Sequence, residues 1–310
     1  MSPRTRSSVA VTIVAVAATA LLALPAGGQA PRAAAPKPDT SLVASTAWLA
    51  AHAGDPSVVV LHVERGDSAW RAGHIPGARY VAYASLSVDT GGIRTELPPP
   101  DSLRSLFEAV GVSDASHVVL TGAPLVVTRA FFTLDYLGHR HVAALDGGAT
   151  KWLAEGRSLS LEAPAVGRGR LTPHPRPEVG AQSDWVLGRL GKPGVSFVDT
   201  RTEGEYLGTA ERPPSSGHLD GARRLEWQDM FRDPNEFSPK ALNELSKLWR
   251  ERVTPGDIVV TYCTVGYRGS GSYFVSRLLG YNAKLYDGSY EDWAKKNLPV
   301  VKTVTPLRTP

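Results

Sequence analysis

The sequence predicts an α/β protein built from two tandem copies of one unit, each a short parallel sheet flanked by helices. Three observations predict it. Apolar, β-branched runs such as Val58-Val-Val-Leu61 and Ile258-Val-Val260 alternate with helix-periodic stretches, the pattern of parallel strands covered on both faces. A Gly-His-x-x-Gly-Ala-Arg motif occurs at Gly73–Arg79 and again at Gly217–Arg223. An Asp-Gly-x-x-x-x-Trp motif then follows in each copy, at Asp146–Trp152 and Asp287–Trp293. Two motifs recurring in one order at similar spacing mark a duplication.

The organisation follows in chain order. Residues 1–28 carry Arg4 and Arg6, an uncharged stretch from Val9 to Leu24, then Ala26, Gly27 and Gly28. That is the pattern of a signal peptide, so an exported protein is expected. The apolar run falls short of the ~20 residues that span a bilayer, which leaves an uncleaved N-terminal membrane anchor as the second reading. Residues 29–39, rich in Ala and Pro, read as a flexible tether. The first copy fills residues 40–156. It runs from Val58-Val-Val-Leu61 through Val118-Val-Leu120 and the helix Phe131–Gly138 to Leu145–Trp152. Residues 157–180, with Pro, Gly and Arg and no periodicity, read as a linker laid over the surface. The second copy fills 181–303, through Val195–Asp199, Ile258-Val-Val260, the helix Tyr273–Gly280 and Tyr286–Trp293. In that helix Phe274/Leu278 and Val275/Leu279 repeat at i,i+4, and Gly280 is the stop.

Composition excludes several classes. The formal net charge is +4, with Lys and Arg scattered rather than blocked, so no nucleic-acid partner is expected. The single cysteine rules out an intramolecular disulfide. No Cys/His cluster has metal-ligand spacing, so neither metal nor cofactor is expected. A monomer without stable membrane association after processing is the expectation, with small molecules as partners.

That one cysteine, Cys263, carries the chemistry. It ends the apolar run Asp257–Tyr262 and opens Cys263-Thr264-Val265-Gly266-Tyr267-Arg268, which leads into a helix. A strand, a tight turn and a helix N-terminus surround the sulfur with backbone N–H groups at a positive dipole end, where the thiolate is favoured. Gly266 is expected to supply a backbone conformation barred to residues with a Cβ. Arg268 in the first helical turn meets an unfavourable dipole, so an anion should compensate it. Asp199 and Arg201 follow the C-terminal end of a strand, where parallel sheets place their sites. His74 and His218 read as braces of the Gly-His turns. Asp287 and Trp293 read as fixing the last strand-to-helix turn.

Taken together, these residues resemble the two-domain rhodaneses, the thiosulfate and 3-mercaptopyruvate sulfurtransferases, over roughly residues 40 to 300. The resemblance implies a catalytic C-terminal domain, in which Cys263 accepts a sulfane sulfur as a persulfide and passes it to cyanide or a thiol. It implies a non-catalytic N-terminal domain, since aligning Gly138 with Gly280 sets Thr121, or with one residue of slack Gly122, against Cys263. Mercaptopyruvate-type loops read Cys-Gly-Ser/Thr-Gly-Val-Thr, whereas bacterial thiosulfate-type loops read Cys-Arg-x-Gly-x-Arg-Ser. Here the sixth position is Arg268 and the second is Thr264, so thiosulfate is the expected donor. Thr264, Val265, Gly266, Tyr267, Arg268 and Arg201 are the expected substrate contacts. 3-Mercaptopyruvate is the alternative donor, and a non-enzymatic sulfur-binding or redox-sensing envelope protein is the alternative function. A phosphatase of this fold needs five residues between Cys and Arg, and only four lie between Cys263 and Arg268.

Overall fold

The computed structural model describes residues 36–210 and 217–302. In the first half the strands are β1 (Val43–Ala44), β2 (Val58–Glu64), β3 (Arg79–Ala82), β4 (Val88–Thr90), β5 (Ile93–Glu96), β6 (His117–Thr121) and β7 (Val142–Leu145). Its helices are α1 (Thr46–Ala51), α2 (Ser68–Ala72), α3 (Pro100–Ala109), α4 (Pro124–Tyr136) and α5 (Gly148–Ala154). The second half has β8 (Gly180–Ala181), β9 (Val195–Asp199), β10 (Arg223–Arg224), β11 (Ile258–Tyr262) and β12 (Ala283–Tyr286). Its helices are α6 (Ser183–Leu187), α7 (Glu203–Leu207), α8 (Leu242–Arg250), α9 (Tyr267–Leu278) and α10 (Ser289–Lys295).

Two five-stranded sheets result, β1-β7-β6-β2-β3 and β8-β12-β11-β9-β10, and every pairing in them is parallel. The expected α/β repeat, each copy a short parallel sheet flanked by helices, is therefore present. Registers match as well. His62 pairs with Thr121 in the first sheet, as Asp199 pairs with Tyr262 in the second, one residue earlier on β11.

The halves meet through their equivalent helices. Twelve of the thirteen residues of α4 are buried, so it is covered on all sides, by its own sheet and by α9. Residues 142 positions apart face one another across this seam. Thr128 Oγ1 lies 3.2 Å from Ser270 Oγ, the Phe131 and Tyr273 rings are 6.4 Å apart, and Arg277 donates to Asp135. Contacts between equivalent positions are the signature of a two-fold axis, here running inside one chain. Around it, Phe131 meets Phe274 at 4.8 Å and 81°, and Phe132 meets Tyr273 at 5.1 Å and 77°. Such edge-to-face pairs add about 0.5–1.5 kcal/mol each beyond the area they bury. One apolar core thus includes Leu61 and Phe107 of the first half with Trp249 and Phe274 of the second.

The stretch after α5 crosses the first half on backbone bonds: Gly169 N–H to Glu108 O (2.8 Å), His174 N–H to Leu137 O (2.9 Å) and Arg176 N–H to Tyr136 O (2.7 Å). His74 braces its turn by donating from Nδ1 to Trp70 O (2.8 Å), and His218 repeats this from Nδ1 to Tyr206 O (2.9 Å). The end of the expected tether is docked rather than free: Asp39 N–H donates to Leu278 O at 2.8 Å. Gly280, at φ +84°, allows this approach, because a Cβ there would stand 2.0 Å from Lys37 O.

The expected export segment, residues 1–28, lies outside the described residues. The localisation read from it, an exported chain with an uncleaved anchor as its variant, is corrected on one point. Among the described residues no helix is long and apolar enough to cross a membrane.

Candidate functional site

Cys263 sits between β11 and α9 with no exposed surface. β11 is buried along Val259–Tyr262 and ends where its neighbour β9 ends, so the chain must turn there. Gly266 makes the turn at φ +77°. A Cβ on it would fall 2.3 Å from Asp287 Oδ1 and 2.5 Å from Asp287 O, which bars any other residue.

The loop is held from outside by Ser289. Its Oγ accepts from Cys263 N–H (3.1 Å) and Gly266 N–H (2.9 Å) and donates to Tyr286 O (2.7 Å). Tyr290 N–H donates to Cys263 O at 3.0 Å, and Glu291 N–H to Thr264 O at 2.9 Å. Gly266 N–H therefore points to Ser289, and the turn runs directly into the start of α9, where the first N–H groups of a helix have no intrahelical acceptor. Ser289 was missed in the sequence, where it is one letter of the Asp-Gly turn. It adopts φ +51°, and the matching residue of the first copy is Gly148 at φ +50°. A serine in glycine's conformation costs on the order of 1 kcal/mol, and it is kept where its hydroxyl organises the cysteine loop.

Arg268 finds the anion that its place at the dipole demanded, and it is internal. Its guanidinium grips Glu205 in a fork, Nη1 to Oε2 at 2.7 Å and Nη2 to Oε1 at 2.6 Å. Thr264 completes the triangle, its Oγ1 accepting from Arg268 Nη2 (2.6 Å) and donating to Glu205 Oε1 (2.8 Å). Burial pushes the Glu205 carboxyl up, but the Arg268 fork and Thr202 outweigh it and hold it at about 2. The Arg268 charge is thus cancelled across the physiological range. A sequence signal for Glu205 existed: Thr202-Glu203-Gly204-Glu205 is a capping box, and both of its hydrogen bonds form at the start of α7.

Arg201, expected at the substrate, has no exposed surface. It pairs with Asp199 (Nη2 to Oδ2, 2.6 Å), donates to Gly217 O (2.7 Å) and stacks 4.2 Å from the centre of the Tyr290 ring. Nε and Nη2 are spent on ordering the end of β9, and Nη1 is buried without a hydrogen-bond partner among the described residues. Val265 presents its carbonyl to Thr95 Oγ1, and Tyr267 packs edge-on to Tyr83 at 4.8 Å.

These last contacts come from the first half. The β4–β5 hairpin reaches across, with Arg94 on Glu291 (2.8 Å) and Lys295 on Gly91 O. Behind it Arg129 of α4 forms a buried ion pair with Asp287 and donates to Thr95 O at 2.6 Å. Glu96 lies in the same seam, where burial and the nearby Asp287 charge push its carboxyl up to about 7. A carboxyl raised from its ordinary value contributes stability that is whole below about 4.5 and is lost as pH rises through 7. Glu96→Gln is therefore expected to be more stable than the parent chain at pH 8 and little changed at pH 4, by denaturant midpoint. Equal midpoints at pH 8 would contradict this.

The first copy shows the same place closed. Thr121 occupies the position of Cys263 with its hydroxyl buried and unpartnered. Phe237 N–H donates to Gly122 O at 2.9 Å, and Glu236 takes Thr150 N–H and Oγ1 at the start of α5.

The model of the rhodanese-like domain matches residues 45–155 and 182–296. The chain belongs to the rhodanese family. Among this rhodanese's relatives, the sulfur carrier protein TtuD of Thermus thermophilus is 31% identical over 84% of this chain and 96% of its own length. A thiosulfate sulfurtransferase of Azotobacter vinelandii is 31% identical over 81% of this chain and 93% of its own. In structure, the anaerobic ergothioneine biosynthesis enzyme of Chlorobium limicola superposes with a TM-score of 0.75 at 22% identity, covering 86% of this chain and 71% of the enzyme. SseA of Escherichia coli, a 3-mercaptopyruvate sulfotransferase, gives 0.69 at 23%, covering 81% and 99%. The two superpositions share the fold.

Proposed function

We propose that this rhodanese is a sulfurtransferase that carries sulfane sulfur on Cys263, with thiosulfate as donor and cyanide or a thiol as acceptor. The observation that carries the reading is the placement of the chain's one thiol in the strand-to-helix turn under the first turn of α9. A helix start of this kind turns its first N–H groups and the positive end of its dipole toward whatever negative charge the transferred sulfur carries. The Cys263 thiolate attacks the outer sulfur of thiosulfate, forming one S–S bond. The S–S bond of thiosulfate breaks, sulfite leaves with the electron pair, and a Cys263 persulfide anion remains. A preorganised donor set of this kind costs no reorganisation as charge moves from one sulfur to the next. In this reading the second half is the catalytic domain and the first supplies one wall of the site through Tyr83 and Thr95. The relatives named thiosulfate sulfurtransferases support the donor.

A second reading is a sulfur carrier that hands its persulfide to a partner protein. It is favoured by the name of the Thermus relative. Steady-state kcat/KM with thiosulfate and with 3-mercaptopyruvate, cyanide being the acceptor, separates the donors. Thiosulfate is expected to lead by about tenfold or more, which corresponds to one charge-assisted contact. A lead for 3-mercaptopyruvate would replace the donor, and no turnover with either would favour the carrier.

A further inference from the structure

The arginines around the cysteine loop are paired with carboxylates: Arg268 with Glu205, Arg201 with Asp199, Arg129 with Asp287, and Arg94 with Glu291. Arg65 differs. Among the described residues no carboxylate comes within ion-pairing distance of its guanidinium, which two aromatic rings hold instead. Its Cζ lies 4.9 Å from the centre of the Tyr83 ring and 4.8 Å from that of Tyr267. Tyr83 belongs to the first half, and Tyr267 follows Gly266 directly at the start of α9. Burial pushes the Tyr267 hydroxyl up, and Arg65 is the first influence against it. The phenol stays neutral at physiological pH and leaves the guanidinium charge in place.

Aromatic faces position a guanidinium without cancelling it. Its planar fork of N–H donors suits an oxyanion, which a compact ammonium matches less well. Arg65 is also exposed, whereas Arg201 and Arg129 are enclosed. We propose that Arg65, supplied by the first half of the chain, receives the anionic end of the sulfur donor, and that the Arg268–Glu205 pair is a neutral brace of the loop. The donor class is a small oxyanion bearing a transferable sulfur, with its sulfonate at Arg65 and its outer sulfur toward Cys263. This deepens the sulfurtransferase reading above and rests on it for the identity of the donor.

The test uses the full chain and two readouts. One is the rate of Cys263 persulfide formation against thiosulfate concentration. The other is the ratio of Cys263 alkylation rates with iodoacetate and iodoacetamide, near-isosteric reagents that differ by one negative charge. Arg65→Ala is expected to raise the half-saturating thiosulfate concentration about tenfold and to lower the iodoacetate-to-iodoacetamide ratio several-fold. Arg65→Lys, which keeps the charge, is expected to recover most of that ratio. An Arg65→Ala chain whose alkylation ratio stays within twofold of the parent overturns the proposal. So does an Arg65→Lys ratio as low as that of alanine, since a structural role would produce it. A ratio that falls as expected in a chain that takes no sulfur from thiosulfate would uphold the anion site and remove the sulfurtransferase reading alone.

Discussion

Replacing Arg129 with methionine is expected to destabilise the whole chain by about 3–5 kcal/mol, because it strands a buried carboxylate. Asp287 would keep its place against Gly266 and lose the guanidinium that spans the seam. Burial already pushes the Asp287 carboxyl up, and the Arg129 charge acts against that push. For a chain of this size the loss is on the order of 10 °C in midpoint temperature. Because the two halves share one core, both should melt in the same transition. Adding Asp287→Asn should recover part of the loss, since the stranded charge is then gone. A single variant within about 1 kcal/mol of the parent would show that the pair contributes no more than an exposed one.

The repeat was legible because its signals are local. Glycine turns, apolar runs and the Asp-Gly-x-x-x-x-Trp motif each span fewer than ten residues, and each fixes its own piece of backbone. Cys263 and Gly266 were legible for the same reason, since a strand, a glycine and a helix start follow one another directly. What pairs with Arg268 was not, because Glu205 lies 63 residues away and α7 brings it back. The sequence did say that an anion must sit beside Arg268, and it pointed outward to a substrate rather than inward to a carboxylate. Arg201 was only partly legible for the same reason: the strand end put it near the site, but only packing shows that Asp199 and Gly217 take its Nε and Nη2 donors. The seam itself could have been found in part. With the offset of 142 from aligning the two cysteine-loop positions, Asp135 and Arg277 stand as opposite charges at equivalent places, as a two-fold contact would require. The β4–β5 hairpin left no such trace, since its strands are short and largely exposed and its purpose lies in the other half.

Intact-mass and peptide mass spectrometry after incubation with thiosulfate tests most directly whether Cys263 carries the sulfur. The chain is expected to gain the mass of one sulfur atom, mapped to Cys263, and to release sulfite in equal amount. A later addition of cyanide should remove that sulfur as thiocyanate. Cys263→Ser should fold normally and gain nothing, since serine fits the same space but its hydroxyl has far too high a pKa to attack as an anion. An unmodified Cys263 in the parent chain, with no sulfite released, would contradict the account.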